Sequence, residues 1–345
     1  MPRFQKLGLC LQGLQSLRPG RAVLCLLFAA TPAAAQELGE QRAATSMLTF
    51  LKIGVGARAV AMGEAFTPVA DDATTMHWNP AGLALLQDRH VHFSHTEWPA
   101  DIDYSAVFVT VPVAALGGGL GLQVASLRTT LDYTSEVEPL PHGRTFGYSD
   151  LVVSGGYARQ LSDRFSFGFN VKYVREDLGS DVGGSTVNSW AVDVGTVFTL
   201  PYRNFRMSMA WTNIGPDYQP SGGFISTPPG AAPGEKQYSS FSPPSVFAFG
   251  AAVEPLQMGP ARLLTTVQFD HPADTRELLK GGAELWLEEI VALRAGWNPR
   301  ASAMDFSAGF GLRGSLGGSE FRFDYAYTDG QDLGRVDRFS VEVAF

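Results

Sequence analysis

The sequence predicts an all-β protein, a 14-stranded antiparallel transmembrane β-barrel with a short helical N-terminal segment in its lumen. Three observations predict it. From about Arg89 to Phe345 the chain is a series of segments in which apolar and polar residues alternate, so each set falls on one side of a sheet. The connections between these segments are short and long by turns. The stretch before them, Gly54 to Leu83, is rich in glycine, alanine and small polar residues and follows neither the helical nor the strand period.

In chain order, residues 1–35 read as a secretory signal. Arg18 and Arg21 close a positive stretch, and Ala22 to Ala30 form an apolar core too short to span a bilayer. Thr31-Pro-Ala-Ala-Ala35 supplies the small residues of a cleavage site, before Gln36. Both cysteines, Cys10 and Cys25, lie in this segment, so the mature chain offers neither a disulfide framework nor a thiolate metal site. The chain has 26 lysines and arginines against 34 acidic residues; the first 35 residues hold four of the basic ones and no acid, so cleavage leaves a charge of about −12. That balance argues against a nucleic-acid partner, because phosphate binding needs a basic footprint.

Residues 36–87 form the expected lumen segment. Gly54, Gly56 and Gly63 allow close backbone approach and positive φ. Asp71-Asp72 and Asn79-Pro80 carry turn and capping chemistry, and Pro80 to Leu86 reads as a short helix with Asn79 as its N-cap. Residues 45–53 read as a helical turn leading in.

The barrel occupies residues 88–345, with strands expected near 88–97, 102–112, 117–128, 147–161, 164–176, 187–200, 204–214, 245–254, 260–270, 279–288, 290–298, 304–314, 319–328 and 336–345. Most approach the 9–11 residues that a tilted membrane strand needs. Phe165, Phe167, Phe169, Val171 and Tyr173 share one face and oppose Ser166, Gly168, Asn170 and Lys172. Phe321, Phe323, Tyr325 and Tyr327 oppose Arg322, Asp324, Ala326 and Thr328 in the same way. A soluble sandwich also alternates, so loop parity decides between them. With both termini on one side, connections after even strands are short (Ser162-Asp163, Pro201 to Arg203, Glu289, Leu316 to Gly318) and those after odd strands mostly long, the pattern of outer-membrane barrels. Phe339, Val341, Val343 and Phe345 alternate to the last residue, a terminal strand of the kind that barrel-assembly machinery reads. The longest connection, Pro216 to Pro244, reads either as a solvated loop or as a landing site for a partner.

The wording of Gly54 to Leu83, GVGARAVAMGEAFTPVADDATTMHWNPAGL, resembles the N-terminal segment of the PorV/PorQ family, within the wider FadL-like superfamily of outer-membrane barrels. Asn79-Pro80-Ala81 looks like the NPA box of the FadL-like hatch. The resemblance implies an outer-membrane barrel whose hatch plugs the lumen. It implies a role in type IX-type secretion, receiving secreted cargo proteins at the outer membrane. The alternative it implies is passive uptake of hydrophobic small molecules, such as long-chain fatty acids or aromatics; a purely structural outer-membrane protein is a third class. None of these is an enzyme or needs a cofactor.

The candidate hatch and gating residues are Gly54, Gly56, Arg58, Gly63, Asp71, Asp72, Asn79, Pro80 and Ala81. Lys172, Arg206, Glu284, Arg294, Arg322, Asp324, Arg338 and Glu342 are expected to face the lumen as a polar network of mixed sign, and Phe345 to serve barrel assembly. Buried unpaired charge is costly, so pairing is expected whether the network holds the hatch or gates it. His90 and His92 share a strand face and could chelate, with His77 upstream and His95 on the other face. No carboxylate is fixed beside them by sequence, so lumen or interface positions explain them and no metal is expected. Asp71-Asp72 reads as a cap or as the partner of a lumen arginine rather than as a catalytic pair, since adjacent residues rarely converge on one atom. Neither a nucleophile elbow nor a P-loop appears.

Overall fold

A computed structural model of the chain describes residues 45–134, 140, 143–226, 234–299, 306–329 and 334–345. The expected signal segment lies outside the described residues.

Fourteen antiparallel strands close into one barrel: β1 (His90–Trp98), β2 (Ile102–Val113), β3 (Gly118–Asp132), β4 (Thr145–Ser162), β5 (Phe165–Asp177), β6 (Thr186–Leu200), β7 (Phe205–Ile214), β10 (Val246–Met258), β11 (Ala261–Pro272), β12 (Leu278–Leu287), β13 (Val291–Trp297), β14 (Phe306–Leu316), β15 (Ser319–Asp329) and β16 (Arg335–Ala344). Each pairs with its neighbours in sequence, and β1 closes on β16 with Phe93 opposite Val341. Beyond β16, Phe345 and Arg89 exchange both backbone hydrogen bonds, at 3.0 and 3.1 Å. The long connection between β7 and β10 carries a separate hairpin, β8 (Gly223–Ser226) with β9 (Gly234–Gln237), where sequence reasoning expected only loop.

The faces follow the alternation with apolar side outward. On β5, Phe167, Phe169, Val171 and Tyr173 are exposed while Ser166, Asn170 and Lys172 are buried inside. On β7, Met207, Met209 and Trp211 point out, and Arg206, Ser208 and Ala210 point in. Lipid requires such an exterior, and closure leaves no unpaired edge within it.

Two boundaries differ from the sequence expectation for physical reasons. β3 and β4 continue pairing to Asp132 opposite Thr145, past the last apolar alternation, because a polar hairpin extension needs no membrane-facing pattern. β10 runs through Pro255 to Met258 by way of a register shift between Val253 and Leu256, and a bulge is where a strand tolerates a residue without an N–H. The parity of the connections also has an exception. The first odd connection is only Pro99 to Asp101, closed with Ala100 and Asp101 at φ of 65° and 54°.

The lumen is filled by the segment from Thr45 to Leu86. Its start lies at the end of the barrel that bears the long connections: Ser46 bridges Ser242, and Lys52 binds Asp274 between β11 and β12. A 3₁₀ turn (Thr49–Lys52) leads to α1 (Ala57–Ala61), which packs on β13 to β16. The chain then reaches α2 (Thr75–Trp78) and a second 3₁₀ helix (Pro80–Ala84), seated against β3 to β6 near the short turns. The segment therefore threads the lumen from one end to the other before β1 starts. The core of the molecule is the layer between this hatch and the inner wall, with Phe50, Met76, Leu83 and Phe108 in one cluster and Met62, Phe66 and Leu264 in another.

The exchange between Phe345 and Arg89 completes the β1–β16 seam at the short-turn end. Phe345→Ala, or deletion of Phe345, is expected to lower the amount of folded barrel in outer membranes. Heat-modifiable migration and yield on gels measure this; both unchanged would refute it.

Candidate functional site

Arg58 is the centre of the lumen chemistry. In α1 the small residues Ala57 and Ala61 turn toward the wall and pack with Ala326, which leaves Arg58 to reach across the barrel. Its Nε and Nη2 donate to the two oxygens of Glu284 on β12, both at 2.8 Å, a bidentate fork. Its Nη1 donates to Asp71 Oδ1 at 2.6 Å and to Asp72 Oδ2 at 3.1 Å. Burial alone would lower the guanidinium's pKa, but Asp71 and Glu284 beside it raise it well above the ordinary value.

From Arg58 the network runs through the wall. Arg294 donates to Glu284 at 2.7 Å and to Asp324 at 2.8 Å. Arg322 donates to Asp324 at 2.9 Å and to Asp72 at 2.8 Å, and lies 3.3 Å from Glu342. Arg206 donates to Asp71 at 3.2 Å and to the Val69 carbonyl at 2.7 Å. Asp72 also accepts the Thr74 amide at 3.0 Å, so it caps and pairs at once. Six of the eight lumen residues expected from sequence thus join Arg58, Asp71 and Asp72 in one cluster. Lys172 and Arg338 do not: Lys172 binds Asp193 at 2.8 Å and Asn213, whereas Arg338 donates to Thr328 at 2.9 Å and lies over the Trp98 ring.

The hatch also sits on glycines that sequence reasoning passed over. A Cβ at Gly282 or Gly296 would run into the backbone of Met62 and Gly63, one at Gly309 into Ala61, and one at Gly168 or Gly195 into Pro80 and Asn79. These strand glycines are in phase with the polar inner face, which was the available signal. Gly56 and Gly63 adopt φ of 84° and 66°, while Gly54 instead makes room for the Glu64 carboxylate. Asn79 is fully buried; its Oδ1 accepts from the Ala81 amide at 3.1 Å, and its Nδ2 donates to the carbonyls of Thr67 and Thr196. Pro80 and Ala81 are buried in the same helix.

On the side of the long connections, a cavity of about 300 Å³ lies between the hatch and β5, β7 and β10 to β12. Leu51, Trp78, Val246, Ala248 and Leu278 give it apolar wall. Lys280 in its wall binds Asp270 at 2.8 Å and Glu64 at 3.2 Å. His77 and Trp78 meet edge to face, with ring centroids 4.9 Å apart. Burial pushes the His77 pKa down to about 3, helped by Lys172 and Lys280, so the ring is neutral. Glu64, Asp270 and Lys280, which line the cavity, and Asp193, which pairs with Lys172, were missed in sequence because nothing local marks which lumen charges come together there.

The strand histidines divide as the alternation requires. His90 and His92 face inward, each with Nδ1 near one oxygen of Glu342, at 3.1 and 3.0 Å. Sequence fixed no carboxylate beside them, but the β1–β16 register brings Glu342 opposite His92. His95 is apart, with Nδ1 2.9 Å from Ser105 Oγ. Among the described residues no group of three or more His, Cys, Asp or Glu side chains is arranged to hold a metal.

Residues 27–255 match the family model described as "Uncharacterised protein family (UPF0164)". The chain belongs to this family. The "UPF0164 protein" of Treponema pallidum (strain Nichols) is 24% identical over 210 residues, which cover 56% of this chain and 51% of that protein. The chain thus spans about half the length of this curated relative. Among solved structures it is similar to the CymD monoaromatic hydrocarbon channel, with a TM-score of 0.53 and 13% identity over 87% of this chain and 97% of that one. It is similar to the Pseudomonas putida toluene transporter TodX, with a TM-score of 0.53 and 11% identity over 84% of this chain and 96% of that one. The Ralstonia pickettii toluene transporter TbuX gives a TM-score of 0.53 and 11% identity over 84% and 97%. At such identities the likeness shows the fold alone: this UPF0164 chain is a closed barrel of fourteen antiparallel strands, as those structures' likeness supports.

Two substitutions test the attachment of the hatch. Arg58→Ala leaves Glu284 buried and half its partners gone, and removing one member of a buried pair costs about 3–5 kcal/mol. Hydrogen exchange of the 55–61 amides should accelerate strongly while the strand amides stay protected; equal protection in both proteins would refute the clamp. Asn79→Ala removes a cap and should cost about 0.5–2 kcal/mol of local stability. Proteolysis within residues 79–84 should then rise modestly with the barrel intact, and no change would show that the cap is redundant.

Proposed function

We propose that this chain is an outer-membrane channel through which small hydrophobic molecules cross passively, with the Thr45–Leu86 segment as its hatch. The cavity of about 300 Å³ carries this reading: it sits on the long-connection side and ends against a plug. Residues 1–35 would export the chain and the barrel-assembly machinery would insert it with the long connections outward, its partners being lipid and the transported molecule. The hydrocarbon channel and toluene transporters of like fold support this choice of cargo.

The nature of the plug supports gating. A hatch sealed only by hydrophobic core would lose that whole contribution on moving. This one is held by ion pairs as well as by apolar packing, and the partners of those pairs can be rehydrated as water enters the lumen. Opening then costs far less than breaking the same pairs in a dry interior. No covalent chemistry is asked of the site, and the reading is non-enzymatic.

The PorV/PorQ-like wording of Gly54 to Leu83 supports a second reading, service in type IX-type secretion. Exposed Phe224 and Ile225 on β8 would then be the surface that meets cargo. A purely structural role predicts neither transport nor cargo binding.

Deletion of Gly54 to Leu83 is expected to leave an inserted barrel of higher conductance in planar bilayers. Equal conductance of deletion and full-length protein would mean that the hatch is not the gate. Failure to insert would make the hatch part of the folding core.

A further inference from the structure

The cavity is ill suited to a bare hydrocarbon. Four cationic side chains, Lys52, Lys172, Arg276 and Lys280, and two carboxylates, Glu64 and Asp270, line it. The three lysines are already neutralised, Lys52 by Asp274 at 2.6 Å, Lys172 by Asp193 at 2.8 Å and Lys280 by Asp270 at 2.8 Å. Arg276 is different. It borders the cavity from the β11–β12 connection, half-buried, with no hydrogen bond or ion pair to any described residue. The acid next to it, Glu277, lies 3.2 Å from His271 instead.

The hatch side presents rings. The Trp78 indole N–H is spent on the Val55 carbonyl at 3.1 Å, so what Trp78 offers the cavity is ring surface. His77 is kept neutral, with one nitrogen able to donate and one able to accept. The volume is at the lower end for ligand pockets, about 300–1,000 Å³, enough for a ring and a substituent and small for an extended acyl chain.

We propose that the cavity selects a small aromatic carboxylate, the ring against His77 and Trp78 and the carboxylate on Arg276, over both hydrocarbons and long-chain acids. This rests on the small-molecule channel reading and refines its cargo. A hydrocarbon in the same place would strip water from Arg276 and His77 and give nothing back. A carboxylate replaces that water with a charge-assisted, planar pair that guanidinium geometry favours. Shape alone cannot tell toluene from benzoate; the free guanidinium can.

The test uses the full-length protein reconstituted in liposomes, with benzoate, toluene and oleate as probes, read by tryptophan quenching and by flux. Wild type should prefer benzoate to both others. Arg276→Gln should reduce the benzoate-over-toluene preference about tenfold or more, the factor that corresponds to one lost charged hydrogen bond. Arg276→Lys should restore part of the preference, because it keeps the charge and loses the fork. An unaltered ratio in Arg276→Gln, or displacement of benzoate by oleate, overturns the inference. Binding of toluene without benzoate also overturns it but leaves the channel standing, whereas binding of neither probe overturns both readings.

Discussion

No strand edge can face hydrocarbon, and the pairing of β1 with β16 is what satisfies that rule in this chain. The remaining architecture follows from it. Closing fourteen strands makes a lumen too wide for wall side chains to fill. The strands must still alternate, so every second residue points into that lumen, and many of these are charged or polar. A filler therefore has to be small enough to fit against the wall and charged enough to neutralise it.

The hatch answers both demands. Its alanines and glycines meet strand glycines at Gly282, Gly296 and Gly309, so backbone packs against backbone where any side chain would intrude. Three of its charged residues, Arg58, Asp71 and Asp72, complete a wall cluster that would otherwise hold arginines and carboxylates in an incomplete arrangement. The two contacts differ in kind. The glycine seats fix where the hatch lies, and the ion pairs add to the apolar packing that holds it there. Of these contacts, the ion pairs are the ones that water would weaken.

Much of the candidate site was legible before the structure, and the parts that were not share a cause. The inward direction of Arg206, Glu284, Arg322 and Glu342 follows from period 2 on strands whose other face is aromatic or aliphatic. Which of them meet does not follow, because it depends on the register of neighbouring strands, which sets Arg322 opposite Glu342, and on contacts through the hatch, such as that of Arg206 with Asp71. Arg338 shares the inner face with Arg322 yet sits away from the cluster, near Thr328 and Trp98, since position along the strand decides height in the lumen. Glu342 comes to His90 and His92 only because the last strand closes on the first.

The sequence by itself determined the barrel, its strand number, the outward face of each strand and the plug, because all of these are set by periodicity, connection length and local composition. Tertiary structure alone decided that the plug threads the lumen from the long connections to the short turns. It also decided that Arg58 is the node of one ion-pair cluster and that Arg276 borders a cavity without a partner among the described residues. The physical reason is that charges pair across the lumen between residues far apart in the chain, Arg58 and Glu284 by 226 positions and Asp72 and Arg322 by 250. A local pattern specifies on which side of the wall a charge lies, and only closure specifies what lies opposite.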